Sequence, residues 1–195
     1  ENNPEGNNWG LEAIHAESAW QYQDKLSRTS EGKAAIKVGI SDAGFDMNHE
    51  DLRLTSITSD VTEHYHGTHV AGTIGGIGNN GTGVTGVLWN ADTIVKSQMG
   101  TSYVVELIQN GAKVVNCSWG LRFPSEASGK SGGIEAANAM AKLLDQGYDF
   151  LVVQSAGNST LDSTWNGSFA GITKDTTLDA GYHVTIDDIL NHKVI

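Results

Sequence analysis

The chain has 195 residues, a formal net charge of −11 and a pI near 4.9, with 38% hydrophobic and 18% charged residues. That composition suits a folded domain with a sizeable core and excludes a disordered chain. The acidic balance argues against nucleic acid or an anionic membrane surface as a partner, because both call for a basic face. No apolar run is long enough to span a bilayer, and the polar stretch from Glu1 to Asn8 does not read as a signal peptide. The single cysteine, Cys117, leaves no internal disulfide, and its setting in Val114-Val115-Asn116-Cys117 reads as a buried, inert thiol.

Residues 1–35 are polar and turn-rich, then mildly helical; Trp9-Gly10-Leu11, followed by Ile14, Ala16, Ala19 and Trp20, predicts a docked arm and a short helix. Residues 35–40 form a short β-rich apolar run, a buried strand. Residues 70–77 are small and apolar, as in a helix packed closely on a sheet, and a glycine and asparagine loop follows over 78–86. A second strand is expected over 93–95, a helix over 103–109 ended by Gly111, and a third strand over 113–117. Ile134, Ala137, Met140, Ala141 and Leu144 have helical spacing, so a helix is expected over 131–146, with Ser131 as N-cap and Gly147 as the stop. Residues 150–153 make a fourth strand. Beyond residue 160 the alternation fades, leaving an expected strand over 182–186 and a helical turn over 187–191.

Continuously apolar strands alternating with helices predict an α/β fold: a doubly wound, mostly parallel sheet with helices on both faces. Ligands bind such sheets beyond the carboxyl ends of strands, and Asp42, Ser118 and Asn158 fall at or just past such ends. A dinucleotide-binding reading is weak, because the glycine-rich stretch follows a helix and no Gly-x-Gly-x-x-Gly follows a strand.

Two motifs carry the chemistry. Ser41-Asp42-Ala43-Gly44-Phe45-Asp46, with His49-x-Asp51-Leu52 after it, closes the first strand, and His66-Gly67-Thr68-His69-Val70-Ala71-Gly72 opens a helix. Asn116-Cys117-Ser118-Trp119-Gly120 and Ser155-Ala156-Gly157-Asn158 follow in order. Over residues 9–158 this series resembles the subtilisin-like serine peptidases, the subtilase family. The resemblance implies that His66 is the general base, a role suited to an imidazole near neutral pH. It implies that Asp42 fixes the imidazole tautomer and stabilises the imidazolium, and that Asn158 donates an N–H to the oxyanion. Ser118, Trp119 and Gly120 would form one wall of the specificity pocket, and Ser155, Ala156 and Gly157 the other. Gly67 would leave room at the helix start beside the substrate, and His69 would be a packed structural histidine.

The resemblance also implies a calcium loop in Asn79-Asn80-Gly81-Thr82-Gly83-Val84, with Asp51 and Asn80 as candidate Ca²⁺ ligands and Glu5 as a further one; a metal-free glycine loop is the alternative. His64-x-His66-x-x-His69 has a superficial metal-ligand spacing, which the histidine motif explains better. Two departures stand out. Ser97-Gln98-Met99-Gly100-Thr101 leads almost at once into helix, so the substrate-pairing strand is expected to be short, and Trp119 stands where the family usually has a smaller aliphatic residue.

The family's nucleophile lies in Gly-Thr-Ser-x-Ala, and these 195 residues contain no such motif. Ser168, in Asn166-Gly167-Ser168-Phe169-Ala170, lies too near Asn158 and reads as a loop serine. The expectation is therefore a single subtilisin-like domain over 1–195, incomplete at its carboxyl end and inactive alone, with exposed core surface that favours self-association. Its partners would be a peptide or protein substrate and the missing carboxyl-terminal segment, and the resemblance implies a secreted or cell-envelope location. The rival is a serine-less pseudopeptidase that binds peptides or a partner chain.

Overall fold

The computed structural model describes residues 9–27, 36–89, 91–158 and 168–194. Two helices, α1 (Trp9–Ala13) and α2 (Ala16–Ser27), precede the sheet. The expected arm before Trp9 and the candidate ligand Glu5 lie outside the described residues.

Six parallel strands follow: β1 (Lys37–Ser41), β2 (Leu54–Ser56), β3 (Asp92–Lys96), β4 (Val114–Cys117), β5 (Leu151–Gln154) and β6 (Lys193–Val194), in the order β2-β3-β1-β4-β5-β6. The four strands predicted from apolar runs are present. β2 and β6 escaped prediction because an edge strand of two or three residues carries no apolar run of its own. No strand forms over 182–186; α6 (Ile186–Leu190) starts there instead, because Thr185 and Asp188 close a capping box.

Three longer helices link β2 to β5, namely α3 (Tyr65–Gly75) between β2 and β3, α4 (Thr101–Gln109) between β3 and β4, and α5 (Glu126–Asp145) between β4 and β5, and the short α6 precedes β6. α5 begins five residues before the expected N-cap Ser131. Ser125 is the cap, through a capping box with Ser128, and Gly129, Gly132 and Gly133 continue the helix under close cover. Any side chain at Gly133 would drive into the Gly171 carbonyl, so glycine here serves contact with the 3₁₀ turn Ser168–Gly171.

Strand register sorts the core into two faces. Gly39, Ile94 and Val115 are in register, and a Cβ on Gly39 would meet Leu107 and Ala112, so this face lies under α4. It continues into the larger core with Val104, Leu107, Ile108, Ala137, Met140 and Val152. Ile40 and Val95 point the other way and pack with Phe45 and Ala71 of α3. Helices therefore cover both faces. The β2–α3–β3 and β3–α4–β4 connections run in the same direction across the sheet yet lie on opposite faces. They therefore have opposite hands, and one departs from the usual right-handed sense. On α3's face, Val114, Leu151 and Val153 of β4 and β5 stay half-buried.

Candidate functional site

Parallel strands end together, and that gathers the site. Ser41 is in register with Cys117, and Cys117 with Gln154, so Asp42, Ser118 and Ser155 each begin the loop at one edge of the sheet. From β1 the chain crosses toward β2 on one side and from the adjacent β4 toward β5 on the other, so the edge between β1 and β4 is a switch point where such sheets bind ligands.

α3 brings His66 to Asp42. The His66 Nδ1 lies 2.7 Å from Asp42 Oδ1; the carboxylate is fully buried and the imidazole side chain is 45% exposed. An ionised carboxylate only accepts, so Nδ1–H donates and leaves Nε2 free to take a proton. The Ala43 amide also donates to Oδ1, at 2.7 Å, while Oδ2 is buried with no partner among the described residues. Asp42 is fixed at its backbone too. Its N–H donates to the Lys96 carbonyl at 3.1 Å, and the preceding Ser41 Oγ donates to the Gln98 carbonyl at 2.6 Å.

Gly67 has a different reason from the expected one. A Cβ there would strike the Gly44 carbonyl and press on Phe45 and Asp42, so the missing side chain lets α3 close onto the β1 loop rather than making room for substrate. His69 is also a correction: it is exposed and lines an open cavity of about 920 Å³ between α1, α3 and the residues after β1. Its outward position follows from the helix turn, since Ala71 and Gly67 take the face toward the sheet.

At the other strand ends, Ser118 is half-buried, with its Oγ accepting from Asn116 Nδ2 at 2.9 Å, and Gly120 is exposed. Ser155, Ala156, Gly157 and Asn158 are all exposed; the Ser155 amide donates to the Cys117 carbonyl at 3.0 Å, and Gly157 turns the chain with φ +101°. Trp119 does not offer its side chain to the surface. Its indole is 7% exposed, and Nε1 donates to the Ser41 carbonyl at 2.9 Å, tying β4 to the residue before Asp42. Gln154 joins the same network: its Nε2 donates to the Trp119 carbonyl and its Oε1 accepts from the Ala170 amide. Residue type alone gave no signal for either tie, since both join segments far apart in sequence. Only residues 97–100 join β3 to α4, as the sequence led one to expect, and a 2.9 Å Lys96–Glu106 ion pair closes the joint.

Ser168 is 2% exposed, with φ +56°, inside the 3₁₀ turn. A buried hydroxyl there is no nucleophile at the strand ends. Cys117 is fully buried, and desolvation first, then the nearby Asp42 charge, push its thiol far above the usual range.

The calcium ligands meet each other instead of converging on a cation. Asp51 is fully buried; Asn80 Nδ2 donates to its Oδ1 at 2.6 Å and the Val84 amide to its Oδ2 at 2.7 Å, while Asn80 Oδ1 accepts from the Thr82 amide. N–H groups already engage both Asp51 carboxylate oxygens and the Asn80 oxygen, so this donor set as arranged does not fit Ca²⁺. Among the described residues, no three His, Cys, Asp or Glu side chains gather as a metal site.

The subtilase family model matches residues 33–186. The chain belongs to the subtilase family. Among curated relatives, subtilisin DY of Bacillus licheniformis is 36% identical over 162 residues, covering 73% of this chain and 54% of that protein. An extracellular serine protease of Serratia marcescens is 34% identical over 130 residues, covering 58% of this chain and 12% of its own length. This subtilase chain thus spans about half the length of subtilisin DY and less of the Serratia protein. The solved structure of MycP1 with its N-terminal propeptide removed aligns with a TM-score of 0.54 at 19% identity, over 79% of this chain and 50% of that one, and supports the fold.

Proposed function

We propose that this chain is the acid–base portion of a secreted or cell-envelope serine endopeptidase that cleaves peptide or protein substrates. The observation that carries the reading is the 2.7 Å contact between the half-exposed His66 and the buried Asp42 at the switch-point edge. In this mechanism His66 Nε2 takes the proton from the attacking serine hydroxyl and then gives it to the leaving amine. Asp42 holds the Nδ1–H tautomer and balances the imidazolium. Asn158 donates to the developing oxyanion, and the backbones of 118–120 and 155–157 flank the substrate. With only four residues between β3 and α4, the second substrate-pairing strand is short, and recognition rests mainly on the 118–120 side.

The nucleophile is supplied by a Gly-Thr-Ser-x-Ala segment, which the 195 residues do not contain, so the isolated chain is inactive. The half-buried Val114, Leu151 and Val153 offer such a segment a face to cover, and left bare they favour self-association. The extracellular Serratia relative supports the location. Among the described residues no helix is long and apolar enough to cross a membrane. Asp51 anchors the loop with Asn80 and Val84, so the metal-free alternative is favoured for that loop.

A chimera with the serine segment of a subtilase relative tests the reading. A fluorophosphonate probe labels the chimera, and neither the isolated chain nor a chimera carrying His66→Ala. A folded chimera that binds peptide without labelling would overturn the peptidase assignment in favour of a binding module.

A further inference from the structure

The helix that carries His66 begins with an unusual side chain. The N-cap of α3 is His64, in extended conformation (φ −154°, ψ 134°), and its Nδ1 accepts the His66 backbone N–H at 3.1 Å. N-caps are ordinarily Ser, Thr, Asp or Asn, whose oxygens accept throughout the neutral range. An imidazole nitrogen accepts only while it carries no proton. The rest of the first turn also depends on His64: Thr68 Oγ1 donates to its carbonyl at 2.8 Å and accepts from the Asp46 amide at 2.8 Å.

We propose that His64 is a positioning residue for His66, a helix cap that holds only while its ring is neutral. The catalytic consequence rests on the peptidase reading above; the cap itself does not. Protonated, Nδ1 becomes a donor facing the His66 N–H, and a positive charge arrives at the positive end of the helix dipole. Both effects loosen the first turn of α3 and, with it, the approach of the His66 ring to Asp42. The ring sits in a defined company. Tyr65 stacks on it at 4.7 Å between centroids. Sharing its cavity are Asp46 and His49 from the β1–β2 link, Asp51 beyond them, Glu63 just before the cap and His69 one turn on; α1 and the loop at 83–87 add no charged group. The cap therefore holds while Nδ1 carries no proton and is lost once the ring takes one.

Amide hydrogen exchange on the whole chain reads this without any nucleophile. Between about pH 8 and about pH 5, the protection factor of the His66 N–H should fall about fivefold in the wild type, the size of a lost cap. His64→Asn keeps a capping oxygen that does not titrate, so its His66 protection should stay level over the same range. The ring nitrogen shifts of His64 should place its proton on Nε2 at the upper pH. An identical pH dependence in the wild type and His64→Asn would overturn the proposal, as would a proton on His64 Nδ1 at the upper pH. Because the readout is a backbone amide, failure of the peptidase reading would leave it unmoved, and failure of the cap would leave the chimera labelling unmoved.

Discussion

At the carboxyl end of β1 the candidate side chain, Asp42, is built into the protein; past the carboxyl end of β5 the candidate, Asn158, stands on the surface. Asp42 is fully buried, with its amide bonded to β3, its carboxylate to His66 of α3, and the preceding Ser41 to Gln98 and Trp119 in the loops after β3 and β4. Asn158 is exposed and follows a turn at Gly157, with the Ser155 amide tied to the Cys117 carbonyl. A buried charge needs its partners fixed at folding, because an unpaired one is costly. A neutral amide donor needs only to be aimed, so a turn suffices.

The predictions test that contrast, from the largest effect to the smallest. On the proposed reading, in the active chimera Asp42→Asn should lower kcat on the order of 10⁴-fold, because the histidine tautomer is lost. Steady-state kinetics showing less than a tenfold fall would make the buried end dispensable. Asn158→Ala should lower kcat about 10²–10³-fold, a magnitude taken from subtilisin itself, and leave KM nearly unchanged. Equal losses in kcat and affinity would mean that the exposed end binds substrate and does not stabilise the oxyanion.

Stability sharpens the same comparison. Gly67→Ala forces a methyl against the Gly44 carbonyl and should cost about 3 kcal/mol, roughly 6–12 °C in Tm for a chain of this size. A calorimetric change below a third of that would mean that α3 is not tightly seated. Asp51→Ala strands the Asn80 and Val84 donors and should cost about 2 kcal/mol, with no comparable gain when Ca²⁺ is added to the wild type. A large Ca²⁺-dependent rise in Tm would instead restore the metal reading.

The smallest effect concerns Cys117, whose thiol is pushed up by burial and then by Asp42. Its folded value lies above its unfolded one, so its contribution is complete below the unfolded value and is lost as pH rises. Above about pH 8.5 the wild type should lose about 1.4 kcal/mol per pH unit relative to Cys117→Ala. Parallel alkaline profiles in denaturant titrations would contradict the burial.

Sequence made the parallel sheet legible because each long strand, such as residues 37–41 or 151–154, is a continuous apolar run bounded by turn signals. It made Asp42 and His66 legible through short motifs whose order and spacing are specific. Three things were not legible, each for a physical reason. The start of α5 was hidden because Ser131, just before the apolar spacing, looks like a cap, whereas the helix is capped at Ser125 through its capping box with Ser128. The ties from Trp119 to Ser41 and from Ala170 to Gln154 join a loop and a 3₁₀ turn to strand ends that they meet only in the folded protein. His64 carried no capping signal because histidine is not a usual cap, and His69 was expected to pack although the helix turns it outward.

The central claim is that Asp42 holds His66 as a base with its proton on Nδ1. Nitrogen NMR of the histidine rings in the whole chain tests it most directly. The account predicts that the neutral His66 ring carries its proton on Nδ1, with Nε2 bare and a far-downfield Nδ1–H signal that Asp42→Ala abolishes. A His66 ring protonated on Nε2, or a spectrum indifferent to Asp42→Ala, would contradict it.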